Sequence, residues 1–134
     1  GQRRNCKKEY VIGDTNEVQS VTTAAAGECD VLYIPTDNTL ASVTETVYNV
    51  VAPAKIPVIA GEEGICNGCG VATLSISYYD LGYATGEMAY EILAEGADIT
   101  TMDVRYAPNV TKKYNAKICE ELGVTVPDDY VAIQ

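Results

Sequence analysis

The apolar positions of this chain come in short runs separated by longer amphipathic stretches, and that alternation predicts its elements. Residues 9–12, "EYVI", form a short apolar run that reads as a strand. "GDTNEVQSVTTAAAG" follows, with Thr15 or Asn16 placed to cap a helix, Val18, Val21 and Ala25 on one face, and Gly27 as its stop. Residues 30–34, "DVLYI", are β-prone and almost continuously apolar, which predicts a strand buried on both faces. In "PTDNTLASVTETVYNVVAP", Asp37 or Asn38 caps a second helix. Its stripe is Leu40, Val43, Val47, Val50 and Val51, and Pro53 ends it.

Residues 57–60, "PVIA", predict another buried strand, and "VATLSISY" alternates with Leu74, Ile76 and Tyr78 on one side. A long helix is expected from an Asp80 cap to about Glu95, carrying Leu81, Ala84, Met88, Ile92 and Leu93. A short strand is expected near 104–106. A last helix is expected from Thr111, with Tyr114, Ile118 and Leu122 as its stripe and Gly123 as its stop. The tail "VTVPDDYVAIQ" has no helix signal. Strand, helix, strand, helix, strand is the signature of an α/β fold: a Rossmann-like parallel sheet flanked by helices. The echo between "VIGDTN" and "YIPTDN" fits that order, and 134 residues make one domain.

Composition narrows what the domain can do. A net charge of −10 repels nucleic-acid phosphates and anionic membrane surfaces, and otherwise reads as ordinary surface solvation. Histidine is absent, which removes Ser-His-Asp and Cys-His catalysis and the commonest metal ligand. Phe and Trp are absent while Tyr occurs ten times, so tyrosine supplies all aromatic packing and any aromatic contact to a ligand. No apolar run approaches the ~20 residues of a membrane span. There is no secretion-signal pattern, and a chain that opens on glycine reads as trimmed from a longer one.

Open α/β sheets bind ligands beyond the carboxyl ends of their strands. Three stretches are expected at that rim: "GDTN" (13–16), "PTDN" (35–38) and "GEEG" (61–64). Helix N-termini there offer backbone N–H groups to an anion, and Asp37, Glu62 and Glu63 offer negative charge to an ammonium. Both features together suit a zwitterion, that is, an amino acid. The same Asp and Asn residues are also ordinary helix caps. Neither a Gly-x-Gly-x-x-Gly turn nor a phosphate-cradling P-loop is present, so no nucleotide cofactor is expected.

"GICNGCG" (64–70) holds a Cys-x-x-Cys pair, Cys66 and Cys69. A redox pair of this kind opens a helix, whose N-terminus lowers the thiol pKa. Here the flanking glycines and the strand pattern that follows predict a turn instead. A zinc site needs about four ligands, and there is no second Cys-x-x-Cys or His pair, so no metal is expected. Free thiols and a small disulfide across the turn both remain open.

Three ordered blocks, "DVLYIPTDNTLAS", "KIPVIAGEEG" and "VATLSISYYDLGYATGEMAYEIL", resemble the substrate-binding proteins of ABC transporters, tryptophan/tyrosine-binding type, which have the type 1 periplasmic-binding-protein fold. The resemblance spans about residues 9–131. It implies non-enzymatic capture of a small ligand, an aromatic amino acid above all, between two α/β lobes outside the cell. The partner is a membrane permease, and the chain is a lipoprotein or a periplasmic protein. It places Thr36, Asp37, Asn38, Glu62 and Glu63 at the ligand; Asn16, from the strand-end rim, and Tyr78 are further candidate ligand contacts. In that reading Asp37 and Glu62 pair with an α-ammonium, and Tyr33 or Tyr78 supplies aromatic packing.

Such proteins are about twice this length. The chain resembles the second lobe without its first strand, with "RRNCKKEY" as the end of a shortened helix. Residues about 79–134 correspond to the segment that crosses back to the first lobe. Ser75 and Ser77 lie where "SISYYDLG" departs from the family pattern. A lone lobe would leave its long helix without its usual cover, which predicts a homo-oligomer. A small Cys-x-x-Cys redox protein and the ligand-sensing domain of a regulator or receptor are the alternatives.

Overall fold

A computed structural model describes residues 7–133. Its centre is a five-stranded sheet of β1 (Leu32–Ile34), β2 (Val58–Ala60), β3 (Ala72–Ile76), β4 (Val110–Tyr114) and β5 (Val131–Ala132), in that spatial order. β1, β2 and β3 run parallel, β4 returns antiparallel to β3, and β5 runs parallel to β4. The fold is therefore α/β with a mostly parallel sheet, as the strand–helix alternation predicts.

Helices α1 (Val18–Glu28), α3 (Thr44–Ala54) and α4 (Glu63–Cys69) pack on one another, and α4 lies against β2 and β3. Val18, Ile34, Val47, Val51, Val58 and Ile65 close the core beneath them. The predicted second helix is two pieces. Asp37 caps the short α2 (Asn38–Ala41), and α3 starts three residues later. Pro53 sits inside the last turn of α3, and Lys55 in left-handed conformation ends it. Asn115 caps α6 (Ala116–Leu122), where it accepts from the Ile118 amide at 3.2 Å. Its amide group also donates to the Asn67 carbonyl at 2.9 Å, so one side chain ties α6 to the end of α4.

Several sequence expectations are corrected. Residues 9–12 form no strand: Val11 is 85% exposed, and only Ile12 turns toward the core. Of "RRNCKKEY", residues 7–10 are coil and the rest lies outside the described residues. β1 is an edge strand with one covered face, and Tyr33 is exposed on the other. In β3 the polarity is inverted: Thr73 and Ser75 are buried under the helices, while Leu74 is exposed. Residues 104–106 are coil. The predicted last helix loses its first residues to β4, because alternate side chains of 110–114 pair along β3.

The long helix α5 (Tyr78–Leu93) is capped by Ser77, three residues before the predicted Asp80, and ends at Leu93. It buries no residue. From β3 the chain runs out along α5 and a 3₁₀ turn at Ile99–Thr101, then returns to β4 beside the point it left.

Candidate functional site

The carboxyl ends of β1 and β2 are drawn together by a glycine. A Cβ on Gly61 would lie 2.6 Å from the Thr36 backbone nitrogen and 2.9 Å from the Pro35 carbonyl carbon, so only glycine lets the two loops touch. The Gly61 amide donates to the Ile34 carbonyl at 2.7 Å, and the Thr36 hydroxyl donates to the Gly61 carbonyl at 3.3 Å. Thr36, Asp37 and Asn38 thus stand beside Glu62 and Glu63, as the strand-end argument predicts. Thr36, Asp37 and Asn38 are exposed, and the two glutamates are half-buried.

Each acidic side chain already has local work. Asp37 accepts from the Leu40 amide at 2.8 Å, and Glu62 accepts from the amides of Gly64 and Ile65. Of the two helix N-termini expected to hold an anion, the one after "PTDN" is therefore capped by the protein's own Asp37, while α1, after "GDTN", has no side-chain cap. Ser77 does the same for α5, accepting from the Asp80 amide at 3.1 Å.

Glu63 is set apart. It receives the Lys113 ammonium at 2.7 Å and the Ser75 hydroxyl at 3.0 Å. The hydrogen bond from Lys113 is the main cause holding its carboxyl below the ordinary value, against partial burial. This pair borders a cavity of about 300 Å³ with Ser77, Tyr78 and Thr111. A shallower depression of about 460 Å³ runs along α5 past Tyr83, Glu87 and Tyr90. Its charged lining is carboxylates alone, Glu87, Glu91 and Glu95, whereas the smaller cavity at the strand ends brings a lysine, a carboxylate and hydroxyls together.

Tyr78 borders that cavity. Asn16 lies in an exposed turn before α1, its amide held by Asp14 at 2.8 Å, and nothing among the described residues links it to the loops at 36 and 62. Tyr33 projects from the open sheet face. Lys113 and Thr111 lay inside a stretch read as helix, so their place at the rim went unseen. The signal that could have found them is alternation: Thr111 and Lys113 are two apart, the period of a strand face.

Cys66 and Cys69 are in helix α4, not in a turn. The Glu62 cap starts that helix, and its glycines answer packing demands: a Cβ on Gly68 would sit 2.1 Å from the Thr44 hydroxyl oxygen. Cys29, Cys66, Cys69 and Cys119 are free, while Cys6 lies outside the described residues. Burial pushes the Cys66 and Cys69 thiols up to about 12, the opposite of what thiol redox chemistry needs. Among the described residues no cluster of His, Cys, Asp or Glu fits a metal ion. No helix among them is long and apolar enough to cross a membrane.

Comparison with known proteins gives the same reading. The family described as ABC transporter substrate binding protein matches residues 6–133. A tyrosine-binding protein of Clostridioides difficile is 40% identical over 100 residues, which are 71% of this chain and 29% of that protein. The ligand-free, open structure of a substrate binding protein with adhesive properties from Clostridium difficile is 37% identical. It aligns with a TM-score of 0.67 over 92% of this chain and 43% of its own. An ABC domain from Streptococcus pneumonia in complex with L-Trp is 29% identical, with a TM-score of 0.81 over 93% of this chain and 44% of its own. The chain thus spans less than half the length of these relatives, which are binding proteins rather than enzymes. On its sequence and on its fold, this chain belongs to the ABC transporter substrate-binding proteins.

Proposed function

We propose that the chain is a ligand-capturing lobe of an ABC importer, working outside the cell and taking up an amino acid, most suitably an aromatic one. The observation that carries this is the contact between the loops at 35–38 and 61–64 at the carboxyl ends of adjacent parallel strands. That is where open α/β sheets take ligands. The L-Trp complex and the tyrosine-binding relative support the ligand class. Thr36, Asp37, Asn38, Glu62 and Glu63 face the ligand, with Tyr78 beside them and Asn16 further out. One oxygen of Asp37 is spent on its cap, and the other serves a polar group of the ligand.

In this reading the segment from about residue 79 onward belongs to the crossing between two lobes, and a permease is the partner that receives the ligand. Anchoring is by lipid or by confinement to a periplasm. The 134-residue chain alone associates with further copies through α5. Calorimetry with L-tyrosine and L-tryptophan on the full natural chain tests the proposal. Asp37→Ala should weaken binding by more than about tenfold, the usual scale for a lost charged contact. An unchanged affinity removes Asp37 from the site, and a wild type that binds neither amino acid removes the function.

A further inference from the structure

We infer that Lys113 and Glu63 together form the seat for the amino-acid head, with Lys113 taking the α-carboxylate and Glu63 the α-ammonium. This rests on the amino-acid reading above and gives that site its polarity. A bound amino acid brings a carboxylate into a rim dominated by acids: Asp37, Glu62 and Glu63. The carboxylate needs a positive partner, and at α2, α4 and α5 cap side chains already take amides of the helix N-termini. The amides of Leu40, Gly64, Ile65 and Asp80 are already held by Asp37, Glu62 and Ser77.

Lys113 is the cation that borders the cavity. Its Nζ donates to Glu63 at 2.7 Å, and an ammonium carries three donors, so further donor capacity remains. The side chains of the pair are 27% and 37% exposed, accessible enough to exchange each other for a ligand. Without ligand, each charge stands in for the ligand group that the other awaits. The hydroxyls of Ser75, Ser77 and Thr111 surround the pair and supply neutral hydrogen bonds to whatever enters.

Spacing gives the orientation. Neighbouring strands lie about 4.8 Å apart, so the backbones carrying Asp37, after β1, and Lys113, on β4, are about three spacings, roughly 14 Å, apart. An α-ammonium and α-carboxylate share one carbon, so a carboxylate held at Lys113 brings its ammonium nearer to Glu63 than to Asp37. Glu63 and Lys113 do lie within reach of one head group. The loop carrying Thr36 and Asp37 is then left to the far, side-chain end of the ligand, where a phenolic hydroxyl or an indole N–H needs an acceptor.

The test uses the full natural chain and calorimetry with L-tyrosine, tyramine, which lacks the carboxylate, and 3-(4-hydroxyphenyl)propionate, which lacks the ammonium. L-Tryptophan with tryptamine and indole-3-propionate serves if tryptophan binds more tightly. Wild type should prefer the amino acid over its amine by at least about tenfold, the scale of a desolvated charge pair. Lys113→Gln should erase that preference and Lys113→Arg should keep most of it. Glu63→Gln should erase the preference over the propionate.

Equal weakening of amino acid and amine by Lys113→Gln means a structural role only and overturns the assignment. A preference that survives the substitution does the same. A wild type that binds neither amino acid overturns the amino-acid reading as well, so the two failures are distinguishable. A measurement that needs no variant is the Nζ resonance of Lys113: the amino acid should shift it and its amine should not. A resonance that ignores both overturns the inference.

Discussion

The two faces of the sheet are opposites. Under the helices, Val18, Val47, Val58 and Ile65 are wholly or almost wholly buried. On the other face Tyr33, Leu74 and Val110 are each more than half exposed, and α5 leaves the sheet without burying a residue. The difference teaches that core and candidate site share one face: Ser75, Thr111 and Lys113 lie on the helix-covered side, at the end of the buried strands. The covered face supplies the hydrophobic free energy that fixes the strands, about 25 cal/mol for each Å² of apolar area buried. The open face and the outgoing helix leave their apolar side chains in solvent.

The sharpest way to break this contrast is to delete apolar atoms on each side. Ile65→Ala should destabilise the chain by about 3 kcal/mol, since it removes a buried side chain and leaves a cavity. Leu93→Ala, at a position 85% exposed on α5, should change stability by less than about 0.5 kcal/mol. Urea unfolding of both variants decides it. Sedimentation of the Leu93→Ala chain should show weaker self-association, and a monomeric wild type would remove α5 as the associating surface.

A smaller effect is expected at the seam between core and rim. Gly61→Ala forces a methyl into the backbone at Pro35–Thr36 and should cost about 1–3 kcal/mol. It should also weaken ligand binding, because the two loops separate. A variant with wild-type Tm and affinity would show that their contact is not tight.

The smallest effect concerns pH. The folded state holds the Glu63 carboxyl below its ordinary value of 4.5. The unfolded state therefore takes up its proton first as pH falls, so the stability from this pair is present above that value and fades as pH drops through the lowered folded pKa. The pair is partly exposed, so the effect is modest. Glu63→Gln should flatten the acid limb of a Tm-against-pH profile between about pH 5 and pH 3. Parallel profiles for wild type and variant would dismiss the pair as a contributor.

Most of the parallel half was legible in the chain. Continuous apolar runs at 30–34 and 57–60, flanked by amphipathic helices, leave few alternatives to parallel strands, though only one face of β1 is covered. The loops at 35–38 and 61–64 followed from where those strands must end, whereas "GDTN" did not, because residues 9–12 form no strand. The return strand was not legible, because "VTKKY" has the charges of a helix and the alternation of a strand, and β3 decides between them by pairing. The helical state of "GICNGCG" was hidden for a related reason. Two internal glycines speak against a helix, yet a Cβ on Gly68 would collide with Thr44, so packing against α3 outweighs their intrinsic cost. Lys113 was missed with its strand, and the acids were read as open to a ligand because capping is a matter of geometry, not composition.

Topologically, the passage from β3 to β4 is a hairpin whose turn has been stretched into an excursion of 33 residues, from Ser77 to Asn109. Its two ends stay side by side, with the Asn109 amide 3.4 Å from the Asp80 carboxylate. The excursion therefore leaves and rejoins the sheet beside the cavity bordered by Glu63 and Lys113, with Tyr78 of α5 at its rim.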